Sequence, residues 1–277
     1  MTTAGGGGAA SASGAGQGEP ARDLFALRLR DHICQCLGRP VSLLQAGCLA
    51  PLDELGLVDL RERGFGVSVT VVAADDALTR RVLDGMGQAP DDVLLGDLRT
   101  VPLAPRSFDV VHCARLIEHI SHAELVLDRL VGALRPGGLL LLRVLDRDSA
   151  AGLLDRLLPA PARRALWTRA HPGAPGPLPP VYEPVASSRG IHAYTLMRGL
   201  VITQRAADRG GPARPTRASS AADTACAAIS RMTGGRYADT HDQLLYVIRK
   251  PEDRFARVVL ASRQPRRRGH ALASRWL

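Results

Sequence analysis

The feature that most constrains the fold is an alternation of short apolar runs with amphipathic segments between residues 41 and 145. The apolar runs are rich in β-branched residues and nearly continuous, which is typical of strands buried on both faces of a parallel sheet. The amphipathic segments predict helices that cover those faces, and right-handed crossovers then give a doubly wound, Rossmann-like α/β sheet. The first five strands are predicted at 41–44, 67–72, 92–95, 108–112 and 139–144.

After residue 146 the pattern changes. A Pro-rich stretch within about 155–195 predicts a lid or insertion, because long ordered loops in compact domains are often binding loops. Apolar runs at 200–203 and 243–248 predict two more strands, with a flexible stretch at 209–221 between them. The predicted organisation is a disordered low-complexity N-terminus over 1–20, a domain over 21–250 and a basic C-terminal tail over 251–277.

Composition indicates a soluble globular protein. The chain has 277 residues, of which 45% are hydrophobic, and its apolar runs are far shorter than the roughly 18 residues of a membrane span. Residues 2–18 lack the basic and apolar parts of a secretory signal, so we expect the five cysteines to be reduced thiols in the cytoplasm. Their spacing predicts no metal site.

The net charge of +9 comes almost entirely from arginine, since Lys250 is the one lysine. A basic balance raises nucleic acid as a partner. Here the arginines are scattered, and with 4% aromatic residues the chain offers no stacking surface for bases. We expect a solvated basic surface, and keep a nucleic-acid-associated enzyme as a third hypothesis. The oligomeric state stays open.

Doubly wound sheets bind ligands at the carboxyl ends of their strands, near the point where the strand order reverses. Asp75 and Asp76 follow the second strand, where a carboxylate can accept both hydroxyls of a ribose. The alternative is a turn or a cap for the helix that begins at Ala77. Asp75 is preferred because it comes first after the apolar run.

Four segments carry a family resemblance, and they are 96–103, 107–113, 116–120 and 134–141. In this order and spacing they resemble the class I S-adenosylmethionine-dependent methyltransferases of the type 11 group. The resemblance implies a seven-stranded sheet, mostly parallel, with an antiparallel last strand. It also implies S-adenosylmethionine as the cofactor and methyl transfer to an acceptor that we expect to be a small molecule.

The resemblance also implies contacts with the cofactor. Asp97 would accept a hydrogen bond from the adenine amino group, and Leu98 would pack nearby. His112 and Cys113 would lie near the adenine, with core packing as the alternative for Cys113. No motif identifies a catalytic residue.

The glycine motif of the family is degenerate in this chain. The family has an acidic residue and three alternate glycines after the first strand, which bring helix amides close to the cofactor. Here Gln45 replaces the acid, and Gly47 alone remains of the glycines. Gln45 can still accept a hydrogen bond from an ammonium group through its carbonyl oxygen.

Two functions therefore follow from the sequence. The first is an enzyme that moves the methyl group of S-adenosylmethionine to an O, N or C nucleophile, with His119 or His192 as a candidate base. The alternative is a catalytically inactive methyltransferase-like protein that acts as a binding or scaffold module.

Overall fold

The computed structural model describes residues 23–36, 38–47, 52–86, 89–170, 176–209 and 217–252. The predicted N-terminal segment 1–20, residues 210–216 of the stretch predicted to be flexible, and residues 253–277 of the tail lie outside the described residues.

The described residues form eight α-helices, one 3-10 helix and seven strands. In chain order they are α1 (Leu24–Gln35), β1 (Val41–Ala46), the 3-10 helix (Leu52–Leu55), α2 (Leu57–Glu62), β2 (Val67–Ala73), α3 (Ala77–Asp84), β3 (Asp92–Leu95), β4 (Phe108–Ala114), α4 (Ala123–Ala133), β5 (Leu134–Leu145), α5 (Ala150–Leu157), α6 (Ala160–Ala170), α7 (Ser188–Met197), β6 (Val201–Asp208), α8 (Arg217–Met232) and β7 (Gln243–Arg249). None of these helices is long and apolar enough to cross a membrane.

The seven strands form one sheet in the order β3-β2-β1-β4-β5-β7-β6. Strand β7 is antiparallel to both of its neighbours, and the remaining pairings are parallel. The predicted fold class is therefore confirmed. The strand order reverses between β1 and β4, so the crevice expected of a doubly wound sheet lies above these two strands.

Alternate side chains of the central strands enter two separate cores. Leu43 and Val110 pack with Phe25 of α1 and with the residues of α2 on one face. Leu44 and Val111 pack with Leu127 and the rest of α4 on the other face. Because these strands are buried on both sides, their sequences read as continuous apolar runs rather than as alternating ones.

The structure differs from the sequence prediction at the junction of α4 and β5. The sequence predicts a chain reversal at Pro136–Gly138, whereas β5 begins at Leu134, directly after α4. Gly137 has a φ of 82°, and a Cβ on Gly138 would lie 2.6 Å from the carbonyl oxygen of Asp109. Gly138 thus lets β5 approach β4 closely, and the positive φ of Gly137 accompanies the register shift between Phe108 and Val110 of β4.

The second half of the chain also differs in detail. The sequence of residues 153–169 alone predicts one helix. The structure divides this stretch between α5 and α6, because Leu158 is extended (ψ 128°) and a proline follows it. Helix α7 was not predicted. The Ser187 hydroxyl caps it by accepting a hydrogen bond from the Gly190 amide at 3.1 Å.

Asp109 joins three strands at the end of the sheet away from the crevice. Its buried carboxylate accepts hydrogen bonds from the Ser42 amide of β1 at 3.0 Å, from Arg39 at 2.7 Å and from Arg135 of β5 at 2.6 Å. Burial alone raises the pKa of Asp109, but these hydrogen bonds outweigh it and hold the pKa below its ordinary value. The carboxylate therefore fixes the amino ends of β1, β4 and β5 relative to one another.

We expect Asp109→Asn to lower the free energy of unfolding by about 2–3 kcal/mol, because two guanidinium groups lose their shared charged partner. Urea denaturation at pH 7 measures this change. Asp59→Asn is the matched control: it removes an exposed ion pair with Arg63 and should cost under about 0.5 kcal/mol. Equal losses in the two variants would contradict this account of Asp109.

Candidate functional site

A cavity of about 230 Å³ lies at the carboxyl ends of β1, β2 and β4. A second cavity of about 250 Å³ lies at the other end of the sheet, beside Arg249, where ligands of such sheets do not bind. The first cavity is lined by Gly47, Ala73, Ala74, Asp76, Leu78, Thr79, Leu98, Arg115, Leu116, His119, Ile120, Leu178 and Pro179.

At the end of β2 the two predicted carboxylates lie in different places. Asp76 lines the cavity, and its Oδ1 caps α3 by accepting a hydrogen bond from the Thr79 amide at 2.6 Å. Asp75 lies outside the lining, and its exposed Oδ1 accepts hydrogen bonds from Arg80 at 2.6 and 2.9 Å. The structure thus brings to the cavity the second of the two carboxylates, whereas the sequence favoured the first.

Asp97 and Leu98, in the loop after β3, also lie in different places. Leu98 is buried and lines the cavity, whereas Asp97 is exposed and lies outside the lining. Both oxygens of Asp97 accept hydrogen bonds from the Arg99 guanidinium, which hold the pKa of Asp97 below its usual range. Arg99 also donates a hydrogen bond to the Ser121 hydroxyl at 3.3 Å, so it joins the loops that follow β3 and β4.

Gly47 forms the base of the cavity at the end of β1. Its φ is 81°, in the region that favours glycine, and its amide donates a hydrogen bond to the Val72 carbonyl of β2 at 2.8 Å. The Leu116 side chain lies 3.5 Å from the place where a Cβ would be. A larger residue at this position would therefore be strained and would crowd Leu116.

Gln45 and His112 pair with each other inside the protein and do not line the cavity. The Gln45 Oε1 lies 2.6 Å from the His112 Nδ1, and the Gln45 Nε2 donates a hydrogen bond to the Gly47 carbonyl at 3.2 Å. Burial and, to a smaller extent, the charge of Arg143 lower the pKa of His112 to about 3, so the imidazole is neutral and Nδ1 carries the proton. The Gln45 carbonyl oxygen, expected to bind an ammonium group, is therefore occupied by His112.

The cysteines show no sign of a binding role. Cys113 is fully buried on the α4 face, where burial raises the pKa of its thiol, and it lies outside the cavity lining. Cys34, Cys36 and Cys226 are free thiols as well. In the described part of the chain, no three histidine, cysteine or acidic residues come together as a metal site.

His119 follows β4 and lines the cavity. Its Nδ1 lies 3.1 Å from the Pro179 carbonyl, and because a carbonyl can only accept, Nδ1 carries the proton. Burial lowers the pKa of His119 to about 4, so the ring is neutral near pH 7. The lone pair therefore lies on Nε2, which is 3.9 Å from the Glu118 carboxylate. His192, the other candidate base, is exposed on α7 outside the lining, and its Nδ1 donates to the Ser188 carbonyl.

Residues 178–183 of the Pro-rich stretch form a wall of the cavity. Leu178 and Pro179 face the cavity, and the amides of residues 181 and 182 donate hydrogen bonds to the Glu118 carbonyl at 3.0 and 2.9 Å. The Glu183 carboxylate then accepts hydrogen bonds from the amides of residues 122 and 123, at the start of α4. These contacts hold the wall against the loop after β4.

The comparisons with known proteins agree with this geometry. Residues 48–142 match the family model described as a methyltransferase domain. This part of the chain is similar to a methyltransferase domain. The match covers β2 to most of β5, and with them much of the cavity lining, and it confirms the resemblance found in the sequence. No curated protein matches the chain.

Solved structures show the same fold. A candidate sarcosine dimethylglycine methyltransferase from Galdieria sulphuraria superposes with a TM-score of 0.50 at 14% identity, over 83% of this chain and 85% of that one. An S-adenosylmethionine-dependent methyltransferase from Mesorhizobium loti gives a TM-score of 0.48 at 14% identity, over 83% and 98% of the two chains. At such low identity the likeness shows the fold alone.

The family indicates S-adenosylmethionine as the cofactor of the methyltransferase domain. The cavity fits the adenosine part of that molecule. Leu98 and Ile120 provide apolar walls for a flat base, and Asp76 provides a carboxylate for hydroxyl groups. Gly47 lines the cavity at the end of β1.

Several lining residues were missed by the sequence analysis, namely Thr79, Arg115, Leu116 and Pro179. The first three lie within seven residues of a predicted strand end, so distance from the strand ends would have found them. Pro179 has no such signal, because the path of the Pro-rich stretch across the sheet is set by contacts distant in sequence.

The buried Glu118 carboxyl predicts a pH dependence of stability. Burial raises its pKa to about 7 from an ordinary 4.5, so the folded protein holds this proton more tightly than the unfolded chain does. The stabilisation is present at pH 4.5 and is lost as the pH rises through 7. Between pH 5 and 8 the free energy of unfolding of the wild type should fall by up to about 3 kcal/mol relative to Glu118→Gln.

Urea denaturation of both proteins at pH 5, 6, 7 and 8 measures this difference. Glu62→Gln, which changes an exposed carboxyl on α2, is the matched control and should follow the wild type at every pH. If Glu118→Gln also follows the wild type, the burial of an ionisable Glu118 is wrong.

Proposed function

We propose that the protein binds S-adenosylmethionine in the cavity above β1, β2 and β4 and transfers its methyl group to an O, N or C nucleophile on a small molecule. The observation that carries the proposal is the position of the cavity. It lies at the carboxyl ends of the strands, and Asp76, Leu98 and His119 in its lining all fall within the segment that matches the methyltransferase family.

Within this proposal Gly47, Asp76 and Leu98 are the cofactor contacts. Asp76 can accept hydrogen bonds from ribose hydroxyls through Oδ2, since Oδ1 caps α3. Leu98 covers one side of the adenine. Asp97 lies next to Leu98. It can accept a hydrogen bond from the adenine amino group only through a carboxylate lone pair that the Arg99 guanidinium does not use.

S-adenosylmethionine supplies an activated methyl group, so the protein needs to position the acceptor and, where necessary, remove its proton. His119 is suited to that second task. Its ring is neutral, the Pro179 carbonyl fixes the proton on Nδ1, and Nε2 holds a lone pair at the cavity wall.

The size of the cavity supports a small-molecule acceptor. Residues 178–183 close one side, and the volume of about 230 Å³ leaves little room for a polymer substrate. The four described thiols are free, which supports a cytoplasmic location. The strands between Val41 and Arg249 share one sheet, which supports a single domain over 21–250.

A second candidate function is a methyltransferase-like binding or scaffold protein without catalysis. The observation that favours it is the hydrogen bonding of Gln45. Its side-chain amide is already hydrogen-bonded to His112 and to the Gly47 carbonyl. The side chain at position 45, which in the family lies near the amino-acid end of the cofactor, is thus not available in the cavity.

Calorimetric titration with S-adenosylhomocysteine, the product of the donor, distinguishes the two functions. We expect micromolar binding to the wild type. Asp76→Asn should weaken binding about ten-fold or more, because it removes a charged acceptor for the ribose while an asparagine still caps α3.

Asp75→Asn is the matched control, since it removes a neighbouring charge that lies outside the cavity, and it should stay within about two-fold of the wild type. Absence of heat at millimolar ligand, with no thermal shift, would instead support the scaffold function. Equal weakening in the two variants would place the ribose elsewhere.

A further inference from the structure

Arg115 lies at the end of the cavity nearest the crossover between β1 and β4. It follows β4 directly, lines the cavity and adopts a φ of 53°, a left-handed conformation that costs energy for arginine. Its amide donates a hydrogen bond to the Arg143 carbonyl of β5 at 3.0 Å, which holds this backbone in place. The next residue, Leu116, packs over Gly47.

The Arg115 side chain is half-buried, yet it has no counter-ion. Among the residues that the structure describes, no carboxylate and no carbonyl forms an ion pair or hydrogen bond with its guanidinium. The Arg115 charge interacts with Glu118 and His119. Burial is the larger cause of the pKa shifts of these two groups, and Arg115 lowers the pKa of both. Asp76, the acid of the lining, is at the β2 end and already caps α3.

The cavity is therefore electrically polarised. It has a carboxylate at the β2 end and an unpaired guanidinium at the β4 end, with apolar walls between them. A guanidinium binds a carboxylate through two parallel hydrogen bonds. These charged hydrogen bonds are stronger than neutral ones, and the difference is larger at sites with little water.

We propose that Arg115 is a binding residue for a carboxylate group at the β4 end of the cavity. This assignment deepens the proposed function and rests on it in part, because two ligands could bring such a group. One is the amino-acid end of the donor, whose carboxylate would bind here in a chain whose glycine motif is degenerate. The other is an acceptor that is itself a carboxylic acid.

The test compares S-adenosylhomocysteine with 5′-methylthioadenosine, which has the same nucleoside and thioether but lacks the amino-acid carboxylate. Calorimetry measures both Kd values for the wild type, Arg115→Gln and Arg80→Gln. Glutamine keeps the backbone strain of Arg115 unchanged, and Arg80→Gln removes the same charge near the cavity but outside its lining. Thermal unfolding checks that each variant folds.

If Arg115 binds the donor carboxylate, Arg115→Gln raises the Kd of S-adenosylhomocysteine by about ten-fold or more and leaves that of 5′-methylthioadenosine within about two-fold. Arg80→Gln changes neither. Such a result supports the proposal and assigns the carboxylate to the donor.

A second arm tests the acceptor as the source. Benzoate and benzyl alcohol are titrated into the free and the S-adenosylhomocysteine-saturated protein, while the Arg115 Nε–Hε resonance, identified by its absence in Arg115→Gln, is followed by NMR. A saturable shift with benzoate, and none with benzyl alcohol, supports a carboxylate site for an acidic acceptor.

The outcomes separate the two proposals. If both nucleosides bind but neither Kd depends on Arg115, and benzoate does not move the resonance, the role of Arg115 is overturned while the proposed function stands. If neither nucleoside binds, the proposed function fails, and the benzoate titration of the free protein alone decides on Arg115.

Discussion

The pairing of β1 with both β2 and β4 is the constraint on which the site depends. Gln45 of β1 lies opposite Val71 on one side and opposite His112 on the other, so three parallel strands end at the same level. Helix α3 then leaves β2 towards one face of the sheet, while α4 packs on the other face. The segments that follow β2 and β4 therefore diverge above β1. The space between them is the cavity, with Gly47 at its base.

Beneath that cavity, a buried polar cluster accounts for the unusual glutamine. Gln45 must accept a hydrogen bond from His112 and donate one to the Gly47 carbonyl, and a carboxylate cannot do both. The His112 ring packs edge-on against Phe25 of α1, and the Arg143 guanidinium lies 5.6 Å from the centre of the Phe25 ring. The acid of the family motif is thus replaced by a buried glutamine whose amide pairs with His112 and with the Gly47 carbonyl.

The strands and the doubly wound fold could be predicted from the sequence, because a parallel sheet covered on both faces requires apolar runs of limited length. The antiparallel direction of β7 was expected only from the family resemblance. The choice between Asp75 and Asp76 could not. The chain turns away after Ala73, and a single residue decides whether a carboxylate meets Arg80 or the cavity. The role of Gln45 depends on His112, 67 residues away. The left-handed conformation of Arg115 has no sequence signal either, since arginine seldom adopts it.

The position of β7 has a consequence for how the protein folds. It is the last strand of the described part of the chain, yet it lies between β5 and β6 and pairs with both. During synthesis, β6 emerges from the ribosome before β7, the strand that joins it to the sheet. About 100 residues are made between β5 and its neighbour β7. Until then the apolar edge of β5 lacks a partner. The sheet is therefore completed late, and a nascent chain that stalls before Gln243 presents an open strand edge to chaperones and to other chains.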